Sequence, residues 1–200
     1  MSWCHASAIS CTYDQLYPNA EVPGNQVELN LCPQFGSNLK VYNSATATYY
    51  TPGDQSGVGG VHCDIIHCTL SWQGEPARKD TVFVENGGAE GEGLCGLLVA
   101  RVCLLFLFPY KLKKYWCILV EWFLLVADEP DDVTGMWIVA PEEDQQGHRV
   151  RAVIGLDTIL RPVHLIGMHG DDEIPVYFQL SDTLDAFCIR ILTKVLCCLT

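Results

Sequence analysis

The fold is decided between Leu97 and Met168. This stretch opens with LLVARVCLLFLF (97–108), continues as YWCILVEWFLLVADEPDDVTGMWIVAP (115–141) and closes with RVRAVIGLDTILRPVHLIGM (149–168). β-Branched and aromatic residues, which favour strands, fill each of its apolar runs. Short polar turns separate the runs, and no interval between them carries a helical pattern.

The apolar runs predict six strands, and their connections favour antiparallel pairing. The segment FPYKLKKY is short enough for a hairpin, and PEEDQQGHR with Gly147 provides a second turn. Closely spaced strands without intervening helices are typical of a small antiparallel β-barrel or sandwich, so we expect a mainly β fold. The predicted strands are Thr81–Glu85, Val99–Phe108, Trp116–Val126, Met136–Ala140, Val150–Leu156 and Val163–Met168.

The chain divides into three predicted segments. Residues 1–48 are weakly patterned, residues 49–180 hold the β-rich domain, and residues 181–200 predict a C-terminal helix. Within the domain, residues 49–80 are rich in glycine and turn formers and indicate irregular structure. The helix is predicted because Ser181 is a good N-cap and apolar residues then recur at helical spacing. These apolar residues are Leu184, Phe187, Cys188, Ile191, Leu192 and Val195.

Composition limits the classes of partner. The 200 residues carry a net charge of -12 and a hydrophobic fraction of 49%. Such a chain can bury a core, but it repels phosphate backbones, so direct nucleic-acid binding is disfavoured. The apolar stretches Leu97–Phe108 and Trp116–Ala127 are shorter than the ~20 residues of a membrane-spanning helix. We therefore expect buried strands and no membrane partner.

The cysteines indicate a reducing environment. The chain has 11 cysteines without a repeated spacing, and Cys103 and Cys117 lie inside apolar runs, where a thiol behaves as a small hydrophobic group. The opening MSWCHASAIS has neither a positive start nor an apolar run, so it does not read as a secretory signal. We expect an intracellular protein with reduced thiols.

An acidic loop is the most distinctive charged feature of the sequence. It comprises Asp128, Glu129, Asp131 and Asp132. Carboxylates at this density attract a basic partner or a divalent cation, although Pro130 breaks the pattern of an EF-hand. The alternative is a solvated turn between two strands.

Two tryptophans, Trp122 and Trp137, lie on the predicted strands that flank the acidic loop. If both indoles face outward, they can form part of an aromatic cage for a methylated lysine. If both face inward, they belong to the core, which is the commoner fate of tryptophan in apolar runs.

Two further motifs have the composition of cofactor sites. One is an HC-x3-HC cluster formed by His62, Cys63, His67 and Cys68. These are good zinc ligands, but Cys-x2-Cys half-sites are absent, and the alternative is a turn with a buried cysteine. The other is GxGxxG at residues 91–96, where Glu90 and Glu92 repel an anion and a strand follows instead of a helix. We interpret it as a loop and predict no cofactor and no catalytic residues.

The stretches YYTPGDQSGVGGVH, SWQGEPARKDTVFVE, DEPDDVTGMWIVAP and AVIGLDTILRPVHLIG occur in this order. Together they resemble the C-terminal region of Plavaka-type transposon proteins, relatives of the Kyakuja–Dileera–Zisupton transposases of mushroom-forming fungi, from Tyr49 to Lys194. The resemblance implies a nuclear location. It also implies that the presumed nuclease core lies upstream of this region, so the region itself is noncatalytic.

Three readings of function remain open. The first is a noncatalytic accessory or interaction module, similar to chromatin-reader barrels by fold analogy alone, that binds a basic protein segment through the acidic loop and the two tryptophans. The second is a fragment of a DNA transposase whose carboxylates help to bind Mg²⁺ for phosphoryl transfer. The third is a nonfunctional relic. The acidic composition favours the first reading.

Overall fold

The computed structural model describes residues 13, 16–17, 19–22, 24–28, 30–31, 39–51, 59–71, 77–86, 94, 96–167 and 189–191. Strands dominate these residues, so the predicted mainly β fold is confirmed. In chain order they are β1 (Lys40–Tyr42), β2 (Ser44–Tyr50), β3 (Val61–Thr69), β4 (Arg78–Lys79), β5 (Thr81–Glu85), β6 (Leu97–Tyr110), β7 (Lys113–Leu125), β8 (Ile138–Pro141), β9 (Arg151–Gly155), β10 (Ile159–Val163), β11 (Leu165–Gly167) and β12 (Ile189–Ile191). Short 3-10 helices span Gly24–Gln26 and Leu156–Thr158.

A long antiparallel hairpin of β6 and β7 forms the centre of the fold. Its register places Tyr110 opposite Lys113, which leaves Lys111 and Leu112 as a two-residue turn. Both turn residues have positive φ, at 46° and 66°. Positive φ at both central positions defines a type I′ turn, whose twist matches that of the flanking strands. The hairpin predicted from FPYKLKKY is therefore confirmed.

The large sheet curls but does not close. Its described strands follow the order β10-β5-β6-β7-β8-β12-β11, with β1 also paired to β6 and β9 to β7, and all of these pairs are antiparallel. The two end strands, β10 and β11, are separated in the chain by His164 alone. Their hydrogen bonds go to β5 and β12 rather than to each other. The barrel alternative is therefore wrong for the described strands, because closure requires pairing between the two ends.

A second sheet consists of β2, β3 and β4. The irregular structure predicted for residues 49–80 is therefore wrong where the structure describes them. Antiparallel pairing from Ser44 with His67 to Tyr50 with Val61 gives this polar segment its backbone partners. The two sheets meet at Asp80, which lies between β4 and β5 and whose carbonyl accepts a hydrogen bond from the Val102 amide at 2.9 Å.

The hairpin has two buried faces. One face, which we call the covered face, packs against the second sheet. The hairpin contributes Ala100, Val102, Leu105, Ile118 and Val120 to this contact, and the second sheet contributes Ala47, Ile66 and Cys68. Its inner face lies within the curl of the large sheet. There the core contains Phe83, Leu94, Val99, Phe123, Trp137, Val139 and Val163, and a further cluster surrounds Phe106, Phe108 and Tyr115.

The C-terminal helix prediction is wrong where it can be compared with the structure. Within residues 181–200 only Ile189–Ile191 is described, and it forms β12 between β8 and β11. The two neighbouring strand edges offer backbone partners to this segment, and such long-range pairing overrides local periodicity. The GxGxxG motif lies mostly outside the described residues. Among the residues that are described, none forms a helix with the length and apolarity needed to cross a membrane.

Candidate functional site

A pocket of about 470 Å³ opens beside the beginning of β2. This volume falls within the range of about 300–1,000 Å³ that is typical of small-ligand sites. Strands β1, β2, β6 and β7 and the 3-10 helix Leu156–Thr158 contribute its lining residues. The described lining residues are Tyr42, Ser44, Ala45, Thr46, Leu105, Phe106, Trp116, Cys117, Leu156 and Asp157. We call this the aromatic pocket.

Two aromatic side chains from different strands meet in the aromatic pocket. Tyr42 on β1 lies opposite Leu105, and Trp116 on β7 lies opposite Leu107. Both rings are therefore on the covered face, from the two strands that flank β6. Their ring centroids are 5.2 Å apart and their planes are inclined by 45°. The rings therefore form a corner rather than a flat stack. Trp116 remains 47% exposed and Tyr42 37% exposed, so the corner is open to solvent.

A carboxylate completes the aromatic pocket. Gly155 of β9 pairs with Cys117 of β7, and the 3-10 helix that follows brings Asp157 to the pocket. Among the described lining residues, Asp157 is the one that is an Asp, Glu, Lys, Arg or His. Aromatic faces attract cations through their quadrupoles, and a carboxylate adds a full negative charge. This combination suits an organic cation.

Comparison with protein-family models, curated proteins and solved structures finds no match to this chain. Family membership is therefore not shown, and the resemblance to Plavaka-type transposon proteins stays a prediction from the sequence. The functional interpretation of the aromatic pocket depends on its geometry and chemistry.

The acidic loop lies in the connection between β7 and β8, where Asp131 has a structural role. Its Oδ1 atom accepts hydrogen bonds from the backbone amide of Thr134 at 2.8 Å and from the Thr134 hydroxyl at 2.6 Å. The Asp131 carbonyl also accepts a bond from the Gly135 amide at 2.7 Å. Asp128, Glu129 and Asp132 are exposed. These hydrogen bonds are typical of a solvated turn between two strands, which was the alternative for this loop. A binding role of the acidic loop stays a prediction.

The structure does not bring the two predicted tryptophans together. Trp137 is 8% exposed and packs with Phe123 and Val139 on the inner face. Trp122 is half-buried and packs against the core of the covered face. Because the two indoles lie on opposite faces of the sheet, they do not form a cage. Trp137 faces inward and belongs to the core, which was the alternative to the aromatic cage.

The HC-x3-HC cluster lies along strand β3 rather than in a turn. Strand alternation places His62 and Cys68 on one face and Cys63 and His67 on the other. The Oδ2 atom of Asp80 lies 3.0 Å from Nδ1 of His67 and accepts a hydrogen bond from the His67 backbone amide at 2.8 Å. Burial raises the pKa of the Cys68 thiol, which disfavours the thiolate that zinc requires.

Metal ligands are dispersed through the described part of the fold. There, no three His, Cys, Asp or Glu side chains lie close enough to hold a metal ion. Neither the acidic loop nor the HC-x3-HC cluster therefore gathers the carboxylates or thiolates that a magnesium or zinc site needs. Cys63, Cys68 and Cys103 are free thiols.

A row of charged side chains, of which Arg101 and Glu121 are buried, crosses the inner face and was not predicted from the sequence. Glu121 on β7 pairs with Arg101 on β6 and with Arg151 on β9. Its carboxylate accepts two bonds from Arg151, at 2.9 and 2.6 Å, and lies 3.7 Å from Arg101 Nη1. Arg101 and Arg149 both lie over the ring of Phe123, with guanidinium carbons 5.6 and 4.8 Å from its centroid.

The charged row alters two ionisable groups. Burial pushes the pKa of the Glu121 carboxyl upward, but the hydrogen bond and charge of Arg151, with the charges of Arg101 and Arg149, outweigh it and hold the pKa below its usual value. Burial, reinforced by the nearby Glu121 charge, raises the pKa of Cys103 to about 11. Cys103 therefore stays a protonated, unreactive thiol at neutral pH.

The aromatic pocket was missed by sequence reasoning. Trp116 reads as one of many apolar residues in a strand, and Tyr42 lies in a segment with weak patterning. Only the pairing of β1 with β6 brings Tyr42 and Trp116 to the same face. The exposure of Trp116 depends on where the second sheet ends, which strand alternation alone does not reveal.

Proposed function

We propose that the protein is a noncatalytic interaction module that binds a basic segment of a partner protein through the aromatic pocket. One observation carries this proposal: the solvent-open corner of Tyr42 and Trp116 lines the same pocket as Asp157, an exposed acidic residue. Lysine and arginine side chains present the cationic groups that such a corner attracts.

The energetics favour a lysine or arginine over a neutral side chain. A cation near an aromatic face gains about 0.5–1 kcal/mol at an exposed site and about 2 kcal/mol where water is excluded. Asp157 adds the attraction of an exposed ion pair, which is about 0.2–1 kcal/mol. The net charge of -12 also draws a basic partner towards the chain over longer distances.

The same charge argues for a protein partner rather than DNA or RNA. Nucleic-acid binding depends on lysine and arginine contacts to phosphates, and an acidic chain repels the phosphate backbone. An accessory binding role is also in keeping with the transposon resemblance, which places the presumed catalytic core upstream of this region.

Binding of a defined basic peptide by the full chain tests the proposal. A fluorescein-labelled peptide of three Lys-Ala-Gly repeats is titrated with the protein, and binding is followed by fluorescence anisotropy. We expect Trp116→Ala to weaken binding about two- to thirtyfold, from the loss of about 0.5–2 kcal/mol of cation–π attraction. Asp157→Asn should weaken it about two- to fivefold.

Two matched controls locate the binding site. Leu124→Ala removes another exposed apolar side chain of β7, and Asp132→Asn neutralises an exposed carboxylate of the acidic loop. Both should bind the peptide as the unmodified protein does. Lack of peptide binding by the unmodified protein, or equal binding by Trp116→Ala, would overturn the proposal. A loss in Asp132→Asn without a loss in Trp116→Ala would assign binding to the acidic loop instead.

A further inference from the structure

We infer that the basic segment of the partner protein binds in an extended conformation, as an additional antiparallel strand along the edge of β2 at residues 44–46. This inference rests on the proposed function, because it names the conformation in which the partner reaches the aromatic pocket. It is carried by the backbone hydrogen bonding of β2 and by the position of its edge at the pocket.

Alternate residues of β2 direct their backbone groups away from β3. The Cys68 amide donates a hydrogen bond to the Asn43 carbonyl at 2.8 Å, so these two residues form a hydrogen-bonded pair. Hydrogen-bonded and non-hydrogen-bonded pairs alternate along an antiparallel ladder, so the register places Ser44 and Thr46 in non-hydrogen-bonded pairs. Their N–H and C=O groups therefore point to the opposite edge, where no other described strand pairs with β2.

This edge of β2 opens onto the aromatic pocket, which Ser44, Ala45 and Thr46 all line. Ala45 packs against the core of the covered face, so the side chains of Ser44 and Thr46 point to the other face. These two residues reach the pocket through their backbones, and each offers one N–H donor and one C=O acceptor. β10 lies beside the other end of β2, where the guanidinium carbon of Arg161 is 6.0 Å from the centroid of the Tyr49 ring. The stretch available to an added strand is therefore the one at the pocket.

The sequence of β2 lacks the features that usually protect a strand edge. Exposed edges are commonly guarded by charged side chains, by proline or by a β-bulge, each of which hinders pairing with another chain. β2 reads SATATYY, without a charged residue or a proline, and its register with β3 continues without a shift from Ser44 to Tyr50. Such an edge can accept an extended peptide through backbone hydrogen bonds, while alternate side chains of the peptide provide specificity.

Antiparallel addition fixes the register of the bound segment. Antiparallel pairing is slightly more stable per residue than parallel pairing, and all described strand pairs of this protein are antiparallel. A lysine opposite Ala45 shares its face, so its side chain points into the pocket that Trp116 and Asp157 line. The partner residues on either side of this lysine lie opposite Ser44 and Thr46 and bond to them, whereas the backbone N–H of the lysine points away from β2.

Backbone N-methylation of a peptide tests this register. The parent peptide is fluorescein-labelled Gly-Thr-Ala-Thr-Lys-Thr-Ala-Thr-Gly, and three derivatives carry one backbone N-methyl group, on the residue before the lysine, on the lysine, or on the residue after it. Each is titrated with the full chain by fluorescence anisotropy. We expect N-methylation of either neighbour to weaken binding at least about threefold, because it removes a hydrogen bond and places a methyl group against β2. N-methylation of the lysine should change the affinity by less than about twofold, because that N–H makes no bond to β2.

Variants of Thr46 test the same edge from the side of the protein. Thr46→Pro removes the N–H at the edge, and proline is tolerated there because no bond to β3 is lost. We expect it to weaken binding of the parent peptide about two- to tenfold. Thr46→Val is the matched control, because it keeps the N–H and changes a side chain on the face away from the pocket, and it should bind as the unmodified protein does. A thermal melt checks the fold of both variants, and the N-methylated peptides test the edge of the unmodified protein if Thr46→Pro is destabilised.

The outcomes separate this inference from the proposed function. Equal affinity for the parent peptide and its three derivatives overturns strand addition and leaves the proposed function standing, and weakening by N-methylation of the lysine alone overturns the antiparallel register. A dimer in sedimentation equilibrium that becomes a monomer in Thr46→Pro would assign the edge to a second copy of the chain and overturn the inference. Binding of the Lys-Ala-Gly peptide without binding of the parent peptide also overturns the inference alone. Absence of binding by both peptides overturns the proposed function and the inference together.

Discussion

Replacing Glu121 with glutamine should destabilise the fold more than any other neutralisation of a described carboxylate. Glu121 is 4% exposed and lies between Arg101 and Arg151 in the register of β6, β7 and β9. Glutamine keeps the size of the side chain but removes its charge. The buried guanidinium of Arg101 then loses the carboxylate that compensates it.

The magnitude follows from the burial of the two partners. Removing one member of a buried ion pair costs about 3–5 kcal/mol, because the remaining charge stays in a poorly solvated site. Here the Arg101 and Glu121 side chains are both nearly inaccessible, whereas the Arg151 side chain is 49% exposed and remains hydrated. We therefore expect a loss near the lower end, about 3 kcal/mol, against the about 5–15 kcal/mol that stabilises a typical domain.

Urea denaturation followed by tryptophan fluorescence measures this loss. With a typical urea dependence of about 1–3 kcal/mol/M, the midpoint for Glu121→Gln should fall by on the order of 1–3 M. Glu85→Gln is the matched control, because Glu85 is an exposed carboxylate at the end of β5. Its free energy of unfolding should change by less than about 0.5 kcal/mol.

A double variant tests the pairing itself. Arg101→Met removes the buried guanidinium, so the combination with Glu121→Gln should be more stable than the sum of the two single changes predicts, by about 1–3 kcal/mol. A Glu121→Gln midpoint equal to that of the unmodified protein would refute the reasoning. So would strictly additive effects of the two changes.

The pH dependence has a defined sign. The pKa of Glu121 is lower in the folded protein than in the unfolded chain, so its ionised form stabilises the fold. This contribution is complete above the unfolded value of about 4.3 and is lost as the pH falls through the folded pKa. The stability difference between the unmodified protein and Glu121→Gln should therefore be constant near neutral pH and shrink below about pH 4.

Two further predictions concern turns. Replacing Lys111 and Leu112 with Asn-Gly should raise the free energy of unfolding by on the order of 1 kcal/mol, because both positions have positive φ, and a thermal melt that shows no increase would contradict this. Asp131→Ala should cost about 1–2 kcal/mol in urea denaturation through loss of its bonds to Thr134, whereas Asp132→Ala should change stability by less than about 0.5 kcal/mol. Equal effects of the two alanine variants would argue against the structural role of Asp131.

The local sequence was sufficient to predict the strands where runs of strong strand-forming residues are joined by short turns. The run Thr81–Glu85 forms β5 with the predicted bounds, and the long runs around Cys103 and Cys117 form β6 and β7. Local reasoning failed at β3, whose histidines, cysteines and aspartate hide the strand alternation. It failed again at Ile189–Ile191, where helical periodicity gave way to pairing with β8 and β11.

The sequence by itself determined the mainly β class, the central hairpin and the acidic character of the surface. These properties depend on residue type and on contacts between chain neighbours, which local patterns record. Only the tertiary structure decided which aromatic residues are exposed. Trp137 and Trp116 occupy similar apolar runs, but one is enclosed by the curl of the large sheet and the other lies beside the open corner with Tyr42. Strand alternation assigns a side chain to a face, and the packing of distant strands determines whether that face is covered.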